Sequence, residues 1–431
     1  MFHPAEDRKS IDSSIPGTTP DTDATHQLEK SQTNDFPDGG LRAWLVAAGA
    51  ATGFFATLGY TNVFGVFQAY YKFHQLPDSS ESDIAWIGGI QAWMIFAVGA
   101  ISGPLFDRYG AWLIRPAALL YCFSIMMTSL CTKYWQFMMA QGILTGIANG
   151  LIMFPAMAAV PQWFDKKRGA AMGISVAGSS LGAVVFPILL SNLLTKTDVG
   201  FGWSVRIAGF LMLPFLAFTA LTVRTRLPPR KTQFFLVEPF KKPLYNLLVF
   251  AIFCSMVGMF VPLFLIPTFA ITRGVNQTLA GYLVAVLNGA SIFGRVIPGV
   301  LGDKFGRINI LIAAALSTGI ITFCWPHADS TASIIVVTIL FGFFSGAIIS
   351  GGSVAVTLCT DEPKKLGTYL GLGMALASFS ALLGPPVSGA IVSASHDFYK
   401  VSYFSGAMTL TGAVTGIIAK AYSPKGVLGR T

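Results

Sequence analysis

Residues 288–307 read NGASIFGRVIPGVLGDKFGR. One arginine, Arg295, lies inside an otherwise apolar helix, and the helix ends in a charged turn containing Asp303, Lys304 and Arg307. An ionised side chain at the centre of a bilayer costs about 2.5–3.5 kcal/mol on insertion scales, so such a residue lines a cavity or a solute path by default. The rest of the chain reads as the housing for that residue.

The 431 residues are 53% hydrophobic and only 11% charged, against about 25% charged in a soluble domain. Twelve apolar spans follow one another, roughly 41–69, 84–105, 112–131, 136–161, 170–194, 203–223, 244–270, 278–301, 308–325, 332–358, 367–394 and 402–422. Lipid leaves no partner for a free backbone group, so spans of this length are helices. The reading is an all-α membrane protein. Residues 1–38 are polar, lack the pattern of a signal peptide, and read as a disordered tail. The five cysteines show no metal-ligand spacing and read as small core residues.

Loop charge gives the orientation. One set of loops, with the C-terminal tail, carries eighteen Lys and Arg, and the other set with adjoining span ends carries six. The first set is expected in the cytoplasm, and both termini with it. The net charge of +9 follows from this topology and not from nucleic-acid binding, because no soluble domain presents a basic face.

The chain repeats itself. Gly103-Pro-Leu-Phe-Asp107-Arg108-Tyr-Gly110 after the second span matches Gly299-Val-Leu-Gly-Asp303-Lys304-Phe-Gly306 after the eighth, with the aspartates 196 positions apart. Lys166-Lys167-Arg168-Gly169 matches Lys364-Lys365-Leu366-Gly367 at an offset of 198. Two six-helix halves are implied, 39–223 and 244–423, with a basic linker 224–243 between them and a short tail 424–431. The linker's positive charge suits anionic lipid headgroups, about 1 kcal/mol per basic residue near the surface.

Twelve spans in two repeated halves, each with a Gly-x-x-x-Asp-Arg/Lys-x-Gly turn after its second span, resemble the major facilitator superfamily. Pro37-Asp38-Gly39-Gly40 with Trp44, and Trp163-Phe164-Asp165-Lys166-Lys167-Arg168-Gly169-Ala170-Ala171-Met172-Gly173, resemble the two signatures of monocarboxylate porters. The resemblance implies two pseudo-symmetric six-helix bundles working by alternating access as a monomer. It also implies that the turns at Asp107, Arg108, Asp303, Lys304 and Arg307, with Lys166, Lys167 and Arg168, latch the halves at the cytoplasmic side. From the residues alone, each aspartate is expected to meet the dipole of the helix that follows it and to pair with its basic neighbour; static loop geometry is the competing reading. Glycines at 169, 173, 178, 182, 367 and 371 suit close helix packing or a rocking surface. Pro155, Pro187 and the pair 385–386 are expected to break helices locally.

Polar and aromatic candidates for solute binding at mid-span are Tyr60, Asn62, Asn149, Asn288, Ser291 and Arg295, with Ser345, Ser350 and Ser353. Asn288, Ser291 and Arg295, spaced three and four apart, share one helix face. In the porters that the chain resembles, the arginine pairs with an aspartate one turn earlier and a lysine in the first span serves the solute; here those positions read Ser291 and Asn62. Every Asp, Glu and His falls in the tail, the loops or the span ends, so no buried acid or imidazole is available to relay a proton. Arg295 is expected to meet an anionic solute, or else helix carbonyls such as those freed by Pro298. The functional expectation is a transporter of a small organic anion, a carboxylate above all, with an efflux pump for a secondary metabolite or toxin as the alternative. No catalytic constellation, cofactor or metal site is expected, and the plasma membrane is the default location.

Overall fold

The computed structural model describes residues 37–228, 237–360, 362–395, 397–423 and 426. Residues 1–36 of the tail expected over 1–38, the middle of the basic linker and nearly all of the C-terminal tail therefore lie outside the described residues; Asp38, expected in that disordered tail, is instead held by the backbone N–H groups of Asp165 and Lys166.

Eleven helical stretches are long and apolar enough to cross a membrane. One of them, Asp83–Thr128, runs for 46 residues, about 69 Å at 1.5 Å per residue, twice the thickness of a bilayer core. Gly110 breaks it with φ +72°, a conformation that a side chain would strain. Twelve spans result: α1 (Gly40–Gln75), α2 (Glu81–Ala97 continuing as Gly99–Tyr109), α3 (Ile114–Thr128), α4 (Tyr134–Gln162), α5 (Arg168–Lys196), α6 (Gly200–Thr222), α7 (Pro243–Thr272), α8 (Gln277–Phe305), α9 (Arg307–Cys324), α10 (Thr331–Thr357), α11 (Leu366–Ala377 continuing as Phe379–Ser395) and α12 (Phe398–Ala421). No strand occurs among the described residues.

The expected proline breaks do not occur. Helix runs through Pro155, Pro187 and positions 385–386, and α2 and α11 are instead interrupted at Val98 and Ser378, both with helical φ and ψ. A proline frees one carbonyl, and close packing on neighbouring helices holds such a span together.

Each half packs in the same pattern. In the first, α1 lies on α5 and α6, α3 on α4 and α6, and α2 on α4; in the second, α7 lies on α11 and α12, α9 on α10 and α12, and α8 on α10. The register repeats residue by residue. Gly146 sits against the backbone of Gln91 and Gly150 against that of Ile95; 196 positions on, Gly342 sits against Leu287 and Gly346 against Ser291.

Two seams join the halves, α2 on α11 and α5 on α8. Glycines line both. Gly99 and Gly103 meet Gly371 and Gly367; Gly299 meets Gly169, and Gly173 meets the backbone of Arg295. In lipid, where burial gives no hydrophobic gain, this close approach of backbones supplies the dispersion that holds helices together.

At the end of the molecule that carries the basic loops, an acid ahead of each half's first helix grips the turn before its fifth. Asp38 accepts from the backbone N–H groups of Asp165 (2.7 Å), Lys166 (2.8 Å) and Lys167 (3.4 Å). Trp44 lies edge-on to Phe164 at 5.0 Å, so the stretches 37–44 and 163–173 meet in space. Glu238, 200 positions after Asp38, accepts from Lys365 Nζ (2.7 Å) and the Tyr369 hydroxyl (3.3 Å). The hydrogen bond from Lys365 holds the Glu238 carboxyl below its ordinary range. With Glu238 about two-fifths exposed, the pair contributes no more than about 1 kcal/mol. A depressed carboxylate stabilises the fold above its ordinary pKa and loses that contribution as pH falls through the depressed value. Glu238→Gln is therefore expected to lower the melting temperature slightly at pH 7, and the gap to the parent should close in strong acid; thermal unfolding across a pH series checks this.

Candidate functional site

The glycine seams bring the two aspartate turns to the opposite half. Asp303, near the end of α8, accepts from the N–H groups of Gly169 (2.8 Å) and Ala170 (2.9 Å) in the first turn of α5. Asp107, near the end of α2, accepts from the N–H groups of Gly367 (2.9 Å) and Thr368 (2.7 Å) and from the Thr368 hydroxyl (2.5 Å) in the first turn of α11. Each carboxylate thus caps a helix of the other half. The expectation that each would meet the dipole of the helix following it is corrected: that helix starts beyond a left-handed glycine, Gly110 or Gly306, whereas the seam glycines bring α11 and α5 directly over the carboxylates. An exposed helix N-terminus favours an anion by about 0.3–1 kcal/mol, and by up to about 2 kcal/mol where partly buried.

The basic neighbours divide. Arg307 Nε bonds Asp303 at 3.0 Å and another guanidinium nitrogen reaches the Asp165 carbonyl in the first half. Lys304 is exposed, so the partner of Asp303 is Arg307, one helical turn on. Arg108 is exposed and lies over the Tyr109 ring at 5.8 Å. Lys166 and Lys167 are exposed, and Arg168 is buried, bonded to the Phe164 carbonyl (3.2 Å) and Asp165 (3.2 Å).

Arg295 lies two turns deeper, about 12 Å from Asp303 along α8. It is buried, and its guanidinium crosses the seam to the Val176 carbonyl (2.8 Å) and the Ser179 hydroxyl of α5. The carbonyls it finds are thus on the facing helix and not those freed by Pro298. Its Nε has no acceptor. Ser350 of α10 donates to the Arg295 carbonyl at 3.4 Å. Sequence reasoning missed Ser179, which carries no signal except its place on the glycine-rich face of α5.

The remaining candidates do not converge on Arg295. Ser291 packs against Gly346 inside the second half, and Asn288 donates to the Val284 carbonyl of its own helix (3.0 Å). Ser345 and Ser353 likewise bond carbonyls of their own helix. Asn62 is exposed beside an irregularity in α1 and donates to the Leu58 carbonyl (2.9 Å). Tyr60 is buried between Phe67 and Phe186, its hydroxyl without a partner. Asn149 reaches Thr61 of α1 at 3.3 Å. Gly65, Gly281 and Gly289, away from the basic end, have nothing within 4 Å of an added Cβ, unlike the seam glycines.

The model of the Major Facilitator Superfamily matches residues 49–339 and 299–427. The chain belongs to this superfamily. It is 47% identical, over 96% of its length and 85% of the relative's, to the aspyridones efflux protein apdF of Emericella nidulans. It is 38% identical to the agnestins efflux protein AgnL12 of Paecilomyces divaricatus, over 90% of this chain and 89% of that one. Among solved structures, the human organic anion transporter MFSD10 superposes with a TM-score of 0.70 at 13% identity, covering 87% of this chain and 98% of its own, a likeness of fold. As a member of this superfamily with relatives named as transporters, the chain is a multi-pass membrane transporter and not an enzyme.

The seam gives a direct test. At Gly367 an added Cβ would lie 2.5 Å from Asp107 Oδ1 and 2.6 Å from the Gly103 carbonyl, whereas Gly65 faces open space. Gly367→Ala is expected to lower the melting temperature of the purified protein by several degrees, and Gly65→Ala to leave it unchanged or raised, as read by differential scanning fluorimetry.

Proposed function

We propose that this transporter exports a secondary metabolite across the plasma membrane, with the basic loops and both termini in the cytoplasm. The observation that carries the proposal is the 47% identity to a named efflux protein, spread over 96% of the chain. The geometry at Arg295 agrees with it. The arginine that suggested a carboxylate solute already has a carbonyl and a hydroxyl across the seam, so its charge has partners without an anion.

In this reading the helix caps at Asp107 and Asp303 hold the cytoplasmic end closed, and Lys166, Lys167 and Arg168 shape the turn that Asp38 holds just ahead of the N–H groups capped by Asp303. Export requires both caps, the Arg295 bonds and the Arg307 bond to the Asp165 carbonyl to break while the halves rock apart, so that solute is admitted from the cytoplasm. Carboxylates capping N–H groups contribute about 1–2 kcal/mol each, and each 1.4 kcal/mol is a factor of ten in the closed-to-open ratio. Two caps therefore bias the equilibrium by about a hundredfold, within reach of solute binding to reverse. The positive charge of the linker sequence suits anionic headgroups of the same leaflet, and a single chain suffices.

A second reading, an organic anion as solute, is favoured by the unpaired Nε of Arg295. Untargeted mass spectrometry of cells lacking the protein separates the two. Loss of the protein is expected to raise the intracellular-to-extracellular ratio of at least one secondary metabolite about tenfold. The parent should restore it, and Arg295→Gln, although reaching the membrane, should not. Unchanged metabolite ratios, with loss of radiolabelled monocarboxylate flux instead, would overturn the export reading.

A further inference from the structure

Leu376 stands at a place where the first half has no side chain. The offset of 198 that relates α5 to α11 carries Gly178 to Leu376. Gly178 lies directly on the backbone of Ala51, so α1 and α5 touch there. In the second half a groove of about 240 Å³ runs between α7 and α11 instead, lined by Asn246, Val249, Phe250, Phe253 and Leu376. Phe250 is 51% exposed and Leu376 43%, and the Phe250 and Phe253 rings stack at 6.3 Å.

The groove opens away from the rest of its half. On α7, Ile252 meets α10 at Gly352, and Ala251 and Ser255 meet α12 at Gly412. At about 100° per residue, Asn246, Phe250 and Phe253 fall on the opposite side of the helix. Val249 and Tyr245 reach α11 at Gly373, and the two phenylalanine rings lie beside that contact. α7 begins at Pro243, and Phe253 lies about 15 Å along it, half of a hydrocarbon core of roughly 30 Å. The groove therefore spans one leaflet, the one at the basic end, and matches the reach of an acyl chain.

Its mouth is polar and positive. Asn246 donates one amide proton to the Phe240 carbonyl (2.7 Å) and keeps a second to give. That carbonyl belongs to the peptide bond leading into Lys241, an exposed lysine with no acid against it among the described residues. Glu238, close by in the chain, is taken by Lys365 (2.7 Å) and Lys242 (3.8 Å). A free ammonium beside an amide N–H suits a phosphate. A lipid head of net negative charge, with no ammonium of its own, adds no repulsion against Lys241.

We propose that this groove holds one anionic phospholipid of the adjoining leaflet, its acyl chain along Phe250, Phe253 and Leu376 and its phosphate on Lys241 and Asn246. The proposal rests on the reading that the basic linker suits anionic headgroups, and narrows it from general attraction to one bound molecule. It is independent of the solute and of the direction of transport.

Native mass spectrometry of the full-length protein, released from detergent with equimolar phosphatidylglycerol and phosphatidylcholine of identical acyl chains, counts the lipids retained. The parent should keep one phosphatidylglycerol, at least tenfold over phosphatidylcholine. Glycerol 3-phosphate, which has the phosphate without the chains, should not displace it. Lys241→Gln should lower the preference at least threefold, and Lys304→Gln, exposed at the same end, should leave it unchanged. Leu376→Trp, which puts bulk across the groove, should lower retention of both lipids at least threefold while melting as the parent does in phosphatidylcholine. The proposal fails if the parent keeps the two lipids equally, if glycerol 3-phosphate displaces the lipid, or if Leu376→Trp retains lipid as the parent does. It also fails if Lys241→Gln does no more than Lys304→Gln; an equal loss in both would leave general attraction alone, and the linker reading would stand.

Discussion

The structure depends on a carboxylate from one half closing the open N-terminus of a helix in the other. An α-helix begins with four N–H groups that have no partner within it, and in a bilayer few alternatives exist to satisfy them. Asp303 takes two of these groups from α5 and Asp107 two from α11. Neither bond forms unless the two halves meet. The glycines at 99, 103, 169, 173, 299, 367 and 371 make that meeting possible, since a side chain at any of them would hold the backbones apart.

The placing of polar groups follows from the same constraint. Near the basic end, the buried and half-buried acids are all engaged: Arg307 on Asp303, Asp38 and Glu238 on the turns before α5 and α11. Deeper along the seam, Arg295 relieves the cost of a buried guanidinium by bonding α5. Its position breaks the internal symmetry, because the residue 196 positions earlier is Gly99, which has no side chain and lies against the Gly371 carbonyl at the opposite seam. One seam is therefore fastened by a cap and by two arginines, Arg295 on α5 and Arg307 on the Asp165 carbonyl, and the other by its cap. On the export reading, opening must release both arginines as well as both aspartates.

Much of this was legible in the sequence. Span number, the repeat offset of 196–198 and the pairing of the Gly169 and Gly299 regions with their duplicates all follow from hydropathy and self-comparison. The partners of Asp107 and Asp303 were not, because a sequence pattern places a carboxylate near its neighbours in the chain, and these carboxylates act 134 and 260 positions away. Arg295 looked like a solute ligand because its apolar surroundings offered no charge; the α5 carbonyl and the Ser179 hydroxyl that bond it have no sequence signature.

Electron–electron double-resonance distances between spin labels at Lys167 and Lys304, both exposed and in opposite halves at the basic end, test the central claim most directly. With both aspartates intact, one short distance should dominate. With Asp107→Asn and Asp303→Asn together, a second, longer distance should hold a substantial share of the population. An unchanged distribution in the double variant would contradict the claim that these two caps hold the halves together.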